Sequence, residues 1–539
     1  MGDMATPSSD PHETPLNRAE EASELIDAVK TLIIPFIKCA DDNVPVRATG
    51  GSRNAASNAL IQGDLLPPST LYAHLSALLP TDQGTGKDGL LHAVADILRY
   101  SVNTWDQGFL DKLYSAPSPV GLVAELLLAT LNTNLHVYSV SPALTAIEKH
   151  TARSLAGLFG FCGPYAGGVT CPGGSGSNLT SLIIARNHLY PETKTQGNAG
   201  HRFAVFTSQH GHYSVEKAAA VAGIGKDNVW TIPVDSAGRM DPVALATAIT
   251  RARAQGSTPL YVSATAGTTV LGSYDPFSAI ADVCKQERVW MHVDASWGGP
   301  IVFASSSSQR AKMAGAERAD SLTVNPHKMM NVPLTCSFLL GPDMRLFHAA
   351  NRTDAPYLFH SSPDDEEDNN DIWDLADLTL QCGRRGDALK LALAWVYHGT
   401  AGFTAQIDHA FAMAALLASE LAQRNTVFTL LSEIPPPCLQ VCFYYRYQDG
   451  KTDDNDGDDD HESGKANTRT TVDMVNRLRG RGFMVDYASF PKKFPQDAVS
   501  ARVWKGSFFR VVVNVQTRRE TILGLVRALE EVGNEVCGE

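Results

Sequence analysis

The feature that most constrains the fold is a series of short apolar runs between about residues 141 and 400, each ending in a small polar or charged cluster. Ala204-Val205-Phe206-Thr207-Ser208, Leu260-Tyr261-Val262-Ser263-Ala264-Thr265, Val289-Trp290-Met291-His292-Val293 and Ser321-Leu322-Thr323-Val324 each read as a strand. Segments of helical periodicity lie between them. A parallel pair of strands needs a crossover connection, where an antiparallel pair can use a tight turn, so strands alternating with helices favour parallel pairing. The expectation is an α/β region with a mostly parallel sheet and helices on both of its faces. The residues that carry chemistry stand at the ends of these runs.

Ser321–Val324 leads into Asn325-Pro326-His327-Lys328. Most lysines keep a solvated ammonium at the surface. A lysine at the end of a buried strand, beside a histidine and a proline that fixes the turn, is placed instead for imine chemistry. An electron-sink cofactor such as pyridoxal phosphate asks four things of its protein: a lysine, an acid at the pyridine nitrogen, a phosphate cradle and a flat group against the ring. Val289–Val293 ends in Asp294-Ala295-Ser296-Trp297-Gly298-Gly299, which puts Asp294 where a carboxylate could keep that nitrogen protonated; a helix-cap or turn aspartate is the other reading. Cys171-Pro172-Gly173-Gly174-Ser175-Gly176-Ser177-Asn178 runs into the helical stretch Leu179–Arg186, so free backbone N–H groups and hydroxyls meet at a helix N-terminus suited to an anion. This loop fits neither Gly-x-Gly-x-x-Gly, nor the P-loop, nor the nucleophile elbow, which takes weight from nucleotide and hydrolase readings. His212, in Gln209-His210-Gly211-His212-Tyr213-Ser214, can stack on a cofactor ring. As a metal pair His210 and His212 lack a third ligand at suitable spacing, and no metal is expected. Leu260–Thr265 leads into Ala266-Gly267-Thr268-Thr269, strand-end threonines able to hydrogen-bond the acid.

The ordered set Pro-Gly-Gly-x-x-Ser-Asn, His-x-His-x-Ser, Gly-Thr-Thr, His-Val-Asp-Ala-x-Trp-Gly-Gly and Asn-Pro-His-Lys-Met-Met resembles the group II pyridoxal phosphate decarboxylases, above all the glutamate and cysteine sulfinate decarboxylases, over about residues 90–535. The resemblance implies the type I fold of the pyridoxal phosphate-dependent transferases. It puts Gly174 and Ser175 at the cofactor phosphate, His212 on the ring with a catalytic part, and Thr269 beside Asp294 at the pyridine nitrogen. Ser296, Asn325 and His327 would lie near the cofactor, and Lys328 would be the Schiff-base lysine. Tyr357, in Ala355-Pro356-Tyr357-Leu358-Phe359, resembles the mobile-loop tyrosine that reprotonates Cα, and Arg510, in Ser507–Asn514, matches the arginine that grips the α-carboxylate. The segments 108–115 and 131–138 are similar to stretches that line the side-chain pocket, which singles out Lys112, Asn134 and His136.

Here the chain departs from the glutamate enzymes, which carry glutamine at Lys112 and phenylalanine at His136. A cation in the pocket favours an acidic side chain such as that of aspartate, glutamate or cysteine sulfinate, because an unpaired buried charge is costly. A surface ion pair of Lys112 with Asp111 is the competing reading. The implied activity is α-decarboxylation of an acidic L-amino acid to its amine and carbon dioxide. An aromatic L-amino acid decarboxylase, or another pyridoxal phosphate reaction such as oxidative decarboxylation or aminotransfer, is the alternative on this scaffold. A cofactor-binding protein without catalysis would be expected to lack Lys328, Asp294 or Arg510. Because the family's site lies near subunit boundaries, the resemblance also implies a homodimer.

A net charge of −13 argues against nucleic acid or an anionic membrane as partner, although two acidic runs contribute much of it. Nine cysteines, an odd number without Cys-x-x-Cys, fit reduced thiols and a cytoplasmic location, with burial expected for Cys438 and Cys442. There is no apolar stretch of membrane-spanning length and no signal-peptide pattern. Met1-Gly2 meets the loose myristoylation pattern but lacks a basic cluster as second membrane signal. The organisation reads as a disordered tail over 1–20, a helical N-terminal arm over 21–140, a large cofactor-binding domain over 141–400, and a small C-terminal α+β domain over 401–539 with an acidic insertion at 449–467. Asp449–Asp460 looks like a calcium loop but lacks the closing glutamate and a flanking helix pair, and reads as a solvated insertion.

Overall fold

The computed structural model describes residues 17–51, 60–63, 66–79, 83–353, 372–446, 460–489 and 506–538. In chain order the strands are β1 Phe109–Leu110, β2 Gly167–Cys171, β3 Phe203–Ser208, β4 Val229–Ile232, β5 Thr258–Thr265, β6 Trp290–Ala295, β7 Ser321–Val324, β8 Ser337–Gly341, β9 Phe428–Leu430, β10 Gln440–Tyr445, β11 Met484–Ser489 and β12 Ser507–Val512. They form two sheets, and the site lies where these meet.

The larger sheet has the order β2-β8-β7-β6-β5-β3-β4. Its pairs are parallel from β7 through β6, β5 and β3 to β4, while β8 runs antiparallel to both of its neighbours. This is the mostly parallel sheet expected from the sequence. β3, β6 and β7 are buried along their whole length because helices cover both faces, which is why they read as continuous apolar runs and not as alternating ones. The helices have legible starts. Asp241 caps Pro242–Ala254 by accepting hydrogen bonds from the Val243 and Ala244 amides, and Pro242 costs nothing at a position whose N–H has no helical partner.

The smaller sheet has the order β1-β11-β12-β10-β9 and is antiparallel except for β1 beside β11. Phe443 and Phe509 stack across β10 and β12 with ring centroids 5.1 Å apart, in a core shared with helix Arg519–Gly538. Helix Ala388–Gln423 packs against β9 and β10 of the smaller sheet and against the helix Pro142–Leu158 that lies on β2, and bends at Gly399, whose φ of 66° and ψ of 172° suit a residue without Cβ.

Three features differ from the sequence reading. The helix over Arg18–Asp42 begins inside the expected 1–20 tail, whose first sixteen residues lie outside the described ones. The arm is not purely helical: Phe109 and Leu110 form β1 and pair with Met484 and Val485, a strand too short to leave a periodic signal. Arg47 fastens the arm there, with Nε and Nη2 on the Asp106 carboxylate at 2.7 and 2.9 Å. The helix Asp460–Gly480 also starts within the expected acidic insertion, of which 449–459 lie outside the described residues. All nine cysteines are unpaired, and Cys438 and Cys442 are fully buried. Among the described residues no helix is long and apolar enough to cross a membrane.

Candidate active site

β5, β6 and β7 end side by side and deliver Thr265, Asp294 and Asn325 to one edge of the larger sheet. A cavity of about 240 Å³ opens at that edge, lined by Gly174, Ser175, Asn178, His212, Tyr213, Thr265, Gly267, Thr269, Asp294, Ser296, Trp297, Asn325, His327 and Lys328. Every residue that the sequence reading assigned to the cofactor is therefore on one wall or another of it.

Lys328 opens onto this cavity from the short helix Pro326–Met329. Burial lowers the pKa of its ammonium, with the Asp294 carboxylate pulling the other way, so the amine is held closer to its reactive neutral form. Burial alone would raise Asp294. The charge of Lys328, hydrogen bonds from Ser296 and Asn178 and the neighbouring His212 outweigh it, and Asp294 stays ionised below its ordinary value. Its two oxygens are separately held: the Ser296 amide donates to Oδ1 at 3.1 Å and Asn178 Nδ2 to Oδ2 at 2.9 Å. Burial also lowers His212, and takes the buried His327 down to about 4.

Asn178 is the junction of this site. One amide hydrogen goes to Asp294 and the other to Ser214 Oγ at 3.0 Å, so Oδ1 must accept the bond from His292 Nε2, 3.0 Å away. Having accepted from Asn178, Ser214 Oγ donates to His212 Nδ1 at 2.8 Å, which leaves Nε2 as the N–H end of the neutral imidazole. Behind it, the neutral His292 ring, with a pKa near 4 caused by burial, meets Ser181 and Ser321 through Nδ1. Sequence reasoning placed Asn178 inside the glycine-rich motif but gave it no task.

The cradle is tight at Gly174. A Cβ there would stand 2.7 Å from both Asn325 Nδ2 and Ser296 Oγ. Asn325 Oδ1 is buried without a hydrogen-bond partner, and the first turn of helix Gly173–Leu189 brings its free amides to the same place. Amides and hydroxyls for an anion, an ionised carboxylate at the end of β6 and a lysine amine facing it are a donor set that fits a phosphorylated pyridine aldehyde.

Thr269 lines the same cavity as Asp294, on the side toward the smaller sheet. Thr265, not Thr269, is the register partner of Asp294, and the chain has turned toward the smaller sheet four residues later. There the Thr269 carbonyl accepts from Arg510 Nη1 at 2.8 Å. Arg510 comes from β12 and is buried, with Nη2 on Asp486 Oδ2 and Nε lacking a partner. Lys112 is half exposed and lies between Asp111 at 3.1 Å and Asp486 at 3.0 Å. Burial would lower this ammonium, but hydrogen bonds to Asp486 and Asp111 outweigh it and raise its pKa. Gln440 in β10 completes the join between the sheets: Nε2 donates to the Thr268 carbonyl at 2.8 Å, and Oε1 accepts from Trp297 Nε1 at 2.9 Å.

Asn134 and His136, expected in the substrate pocket, are not among the residues that line this cavity within one chain. Their loop is fixed elsewhere, where Asn134 Oδ1 accepts from the Arg384 amide at 2.8 Å and His136 Nδ1 lies 3.1 Å from the Asn134 carbonyl. Arg384 is itself held by the buried carboxylate of Glu148. Tyr357 lies outside the described residues.

A type I fold with a lysine, an ionised aspartate and an anion cradle around one cavity is the scaffold of a pyridoxal phosphate-dependent enzyme. The chain belongs to the pyridoxal-dependent decarboxylase family: residues 71–446 match the pyridoxal-dependent decarboxylase conserved domain. It is 50% identical over 525 residues to L-aspartate decarboxylase dtxS4 of Metarhizium robertsii, covering 97% of this chain and 98% of that protein. It is 37% identical to the glutamate decarboxylase-like protein FG08083 of Gibberella zeae, covering 97% and 99%. Among solved structures, mouse CSAD in apo form superposes with a TM-score of 0.80 at 31% identity, covering 96% of this chain and 99% of that one. Oryza sativa TDC with PLP and tryptamine shares the fold with a TM-score of 0.80 at 23% identity, covering 97% and 99%. The protein is thus an amino acid decarboxylase that uses pyridoxal phosphate.

Proposed function

We propose that this enzyme removes the α-carboxylate of L-aspartate, giving β-alanine and carbon dioxide. The observation that carries the choice of an acidic substrate is the pair of cations, Arg510 and Lys112, drawn to one carboxylate, Asp486, with Arg510 bonded to the carbonyl of Thr269, a residue that lines the lysine cavity. The 50% identity to an enzyme named for L-aspartate supports it.

Pyridoxal phosphate, when bound, supplies an electron sink for the charge left on Cα as carbon dioxide departs. Gly174 and Ser175 would hold its phosphate, His212 would lie against the ring, and Asp294 would keep the pyridine nitrogen protonated, with Thr269, Ser296, Asn325 and His327 around it. Lys328 supplies the tethering amine. The planar guanidinium of Arg510 suits a carboxylate that must be oriented before it leaves, and Lys112 would receive the side-chain carboxylate. Tyr357 would then deliver a proton to Cα. Tyr357→Phe is expected to keep cofactor and to release carbon dioxide, with amine yield falling and a carbonyl by-product rising. Unchanged amine yield without by-product would remove Tyr357 from the reaction.

The same reading assigns a homodimer, a cytoplasmic location and three regions: arm, large domain and small domain. Helix Pro119–Leu131 supports the dimer, because Leu122, Val123, Leu126, Leu127 and Leu131 leave an apolar face uncovered in the single chain. The loop bearing Asn134 and His136 follows this helix and would lie at the subunit boundary. The deciding experiment incubates the holoenzyme with a panel of acidic and aromatic amino acids and scores carbon dioxide and amine. Aspartate is expected to give the largest kcat/KM; turnover confined to aromatic amino acids would sink the proposal.

A further inference from the structure

β1, β11 and β12 lie side by side, and three charged residues meet there: Asp486 on β11, Arg510 on β12, and Lys112 two residues past the end of β1. Asp486 sits directly opposite Arg510 in the antiparallel pair of β11 and β12. β1 runs parallel to β11 with Leu110 opposite Val485, so the chain leaving β1 brings Lys112 to the other side of Asp486. Both cations reach the same oxygen. Lys112 Nζ stands 3.0 Å and Arg510 Nη2 2.5 Å from Asp486 Oδ2, so the two nitrogens can be no more than 5.5 Å apart. Asp111 flanks Lys112 from behind at 3.1 Å. Arg510 has Nη1 committed to the Thr269 carbonyl, while Nε remains a buried donor without a partner. A buried donor of that kind is uncommon in a finished structure and marks a place where a ligand can complete the bonding.

We infer that Asp486 is a specificity-determining residue: by holding Arg510 and Lys112 on one carboxylate, it sets the span between the groups that receive the two substrate carboxylates, and so selects aspartate over its longer homologue. This rests on the proposed reading of Arg510 and Lys112. Two like charges so close repel each other, and the carboxylate between them offsets that repulsion. Without it Lys112, whose side chain is 49% exposed on a flexible stem, keeps only Asp111 as an ionic partner near Arg510, and the two cations are no longer joined through one oxygen. Three bonds separate the carboxyl carbons of aspartate and four those of glutamate, so a short, fixed pair of cations favours the first. Differences of one methylene are typically worth on the order of tenfold or more in kcat/KM.

The test uses holoenzyme, wild type and the variants Asp486→Asn and Asp486→Glu. Steady-state constants are measured on aspartate and glutamate, and inhibition constants for succinate and glutarate, which report the span without reacting. In Asp486→Asn the aspartate-to-glutamate ratio of kcat/KM is expected to fall by about tenfold or more, mostly through a higher KM for aspartate. The preference for succinate over glutarate should fall with it, while the absorbance of the bound cofactor stays as in wild type. Asp486→Glu restores the charge one methylene further out and should recover part of the preference. Unchanged ratios in both comparisons, or an equal loss on both amino acids together with a lower melting temperature, would overturn the inference. If Asp486→Asn does not fold, unchanged ratios in Asp486→Glu do the same. A wild-type enzyme that turns over neither acidic amino acid would instead overturn the reading of the site, whatever the variants do.

Discussion

Replacing Lys328 with alanine is expected to abolish the visible absorbance of the lysine-bound cofactor and to lower decarboxylation on the order of 10³-fold or more. No other amine faces Asp294 across the cavity among the described residues. The variant also has a signature without cofactor. Lys328 is the largest of the influences that pull Asp294 below its ordinary value against the effect of burial. A carboxylate whose folded pKa is depressed contributes stability that is present above its unfolded pKa of about 4 and lost as pH falls through the folded value. Removing Lys328 weakens that contribution, so the apoprotein's melting temperature should change less between neutral pH and about pH 4 than that of wild type. Spectra and melting curves of wild type and variant check both halves; retained absorbance of a lysine-bound form would contradict the central role of Lys328.

Asp294→Asn is expected to cost on the order of 10²–10³-fold in kcat, the usual scale for losing one preorganised electrostatic partner. The substitution preserves shape but not bonding. Both oxygens of Asp294 accept, one from the Ser296 amide and one from Asn178, so an asparagine must turn its NH₂ toward a donor whichever way it faces. Disturbing Asn178 reaches further, because its other hydrogen holds Ser214 and through it the tautomer of His212. The KM for substrate should move much less than kcat, since Arg510 and Lys112 bond elsewhere. A kcat within a few-fold of wild type would show that the carboxylate charge is dispensable.

The strands that matter for the cofactor were legible because each is a continuous apolar run ending in a polar cluster: burial on both faces and a ligand at one end write the same pattern. Lys328, Asp294, His212 and the Gly174-Ser175 loop were found this way, far apart in sequence and on one cavity in space. Asn178, Gln440 and Asp486 were not given roles because nothing local distinguishes them. Their significance comes from distant pairings, Asn178 with residues of two other elements and Asp486 with strands on either side. β1 was missed for a similar reason, two residues being too few to show a period. For Thr269 a motif gives the order of residues but not where a loop turns, so the bond from Arg510 to its carbonyl was not legible. Asn134 and His136 stand on a loop tied to Arg384, and neither is among the residues that line the cavity within one chain.

The division of labour between the two sheets has a consequence for how such an enzyme changes over time. The residues proposed to seat the cofactor belong to the larger sheet and its loops, whereas Lys112, Asp486 and Arg510, proposed to read the substrate, stand on or beside strands of the smaller sheet, joined to the rest by Gln440 and the Thr269 carbonyl. Selection can therefore act on the two functions almost independently. On that proposal a lineage can alter what it reads beside the smaller sheet and still inherit an unaltered seat for the chemistry, so relatives on this scaffold can diverge in diet long before they diverge in reaction.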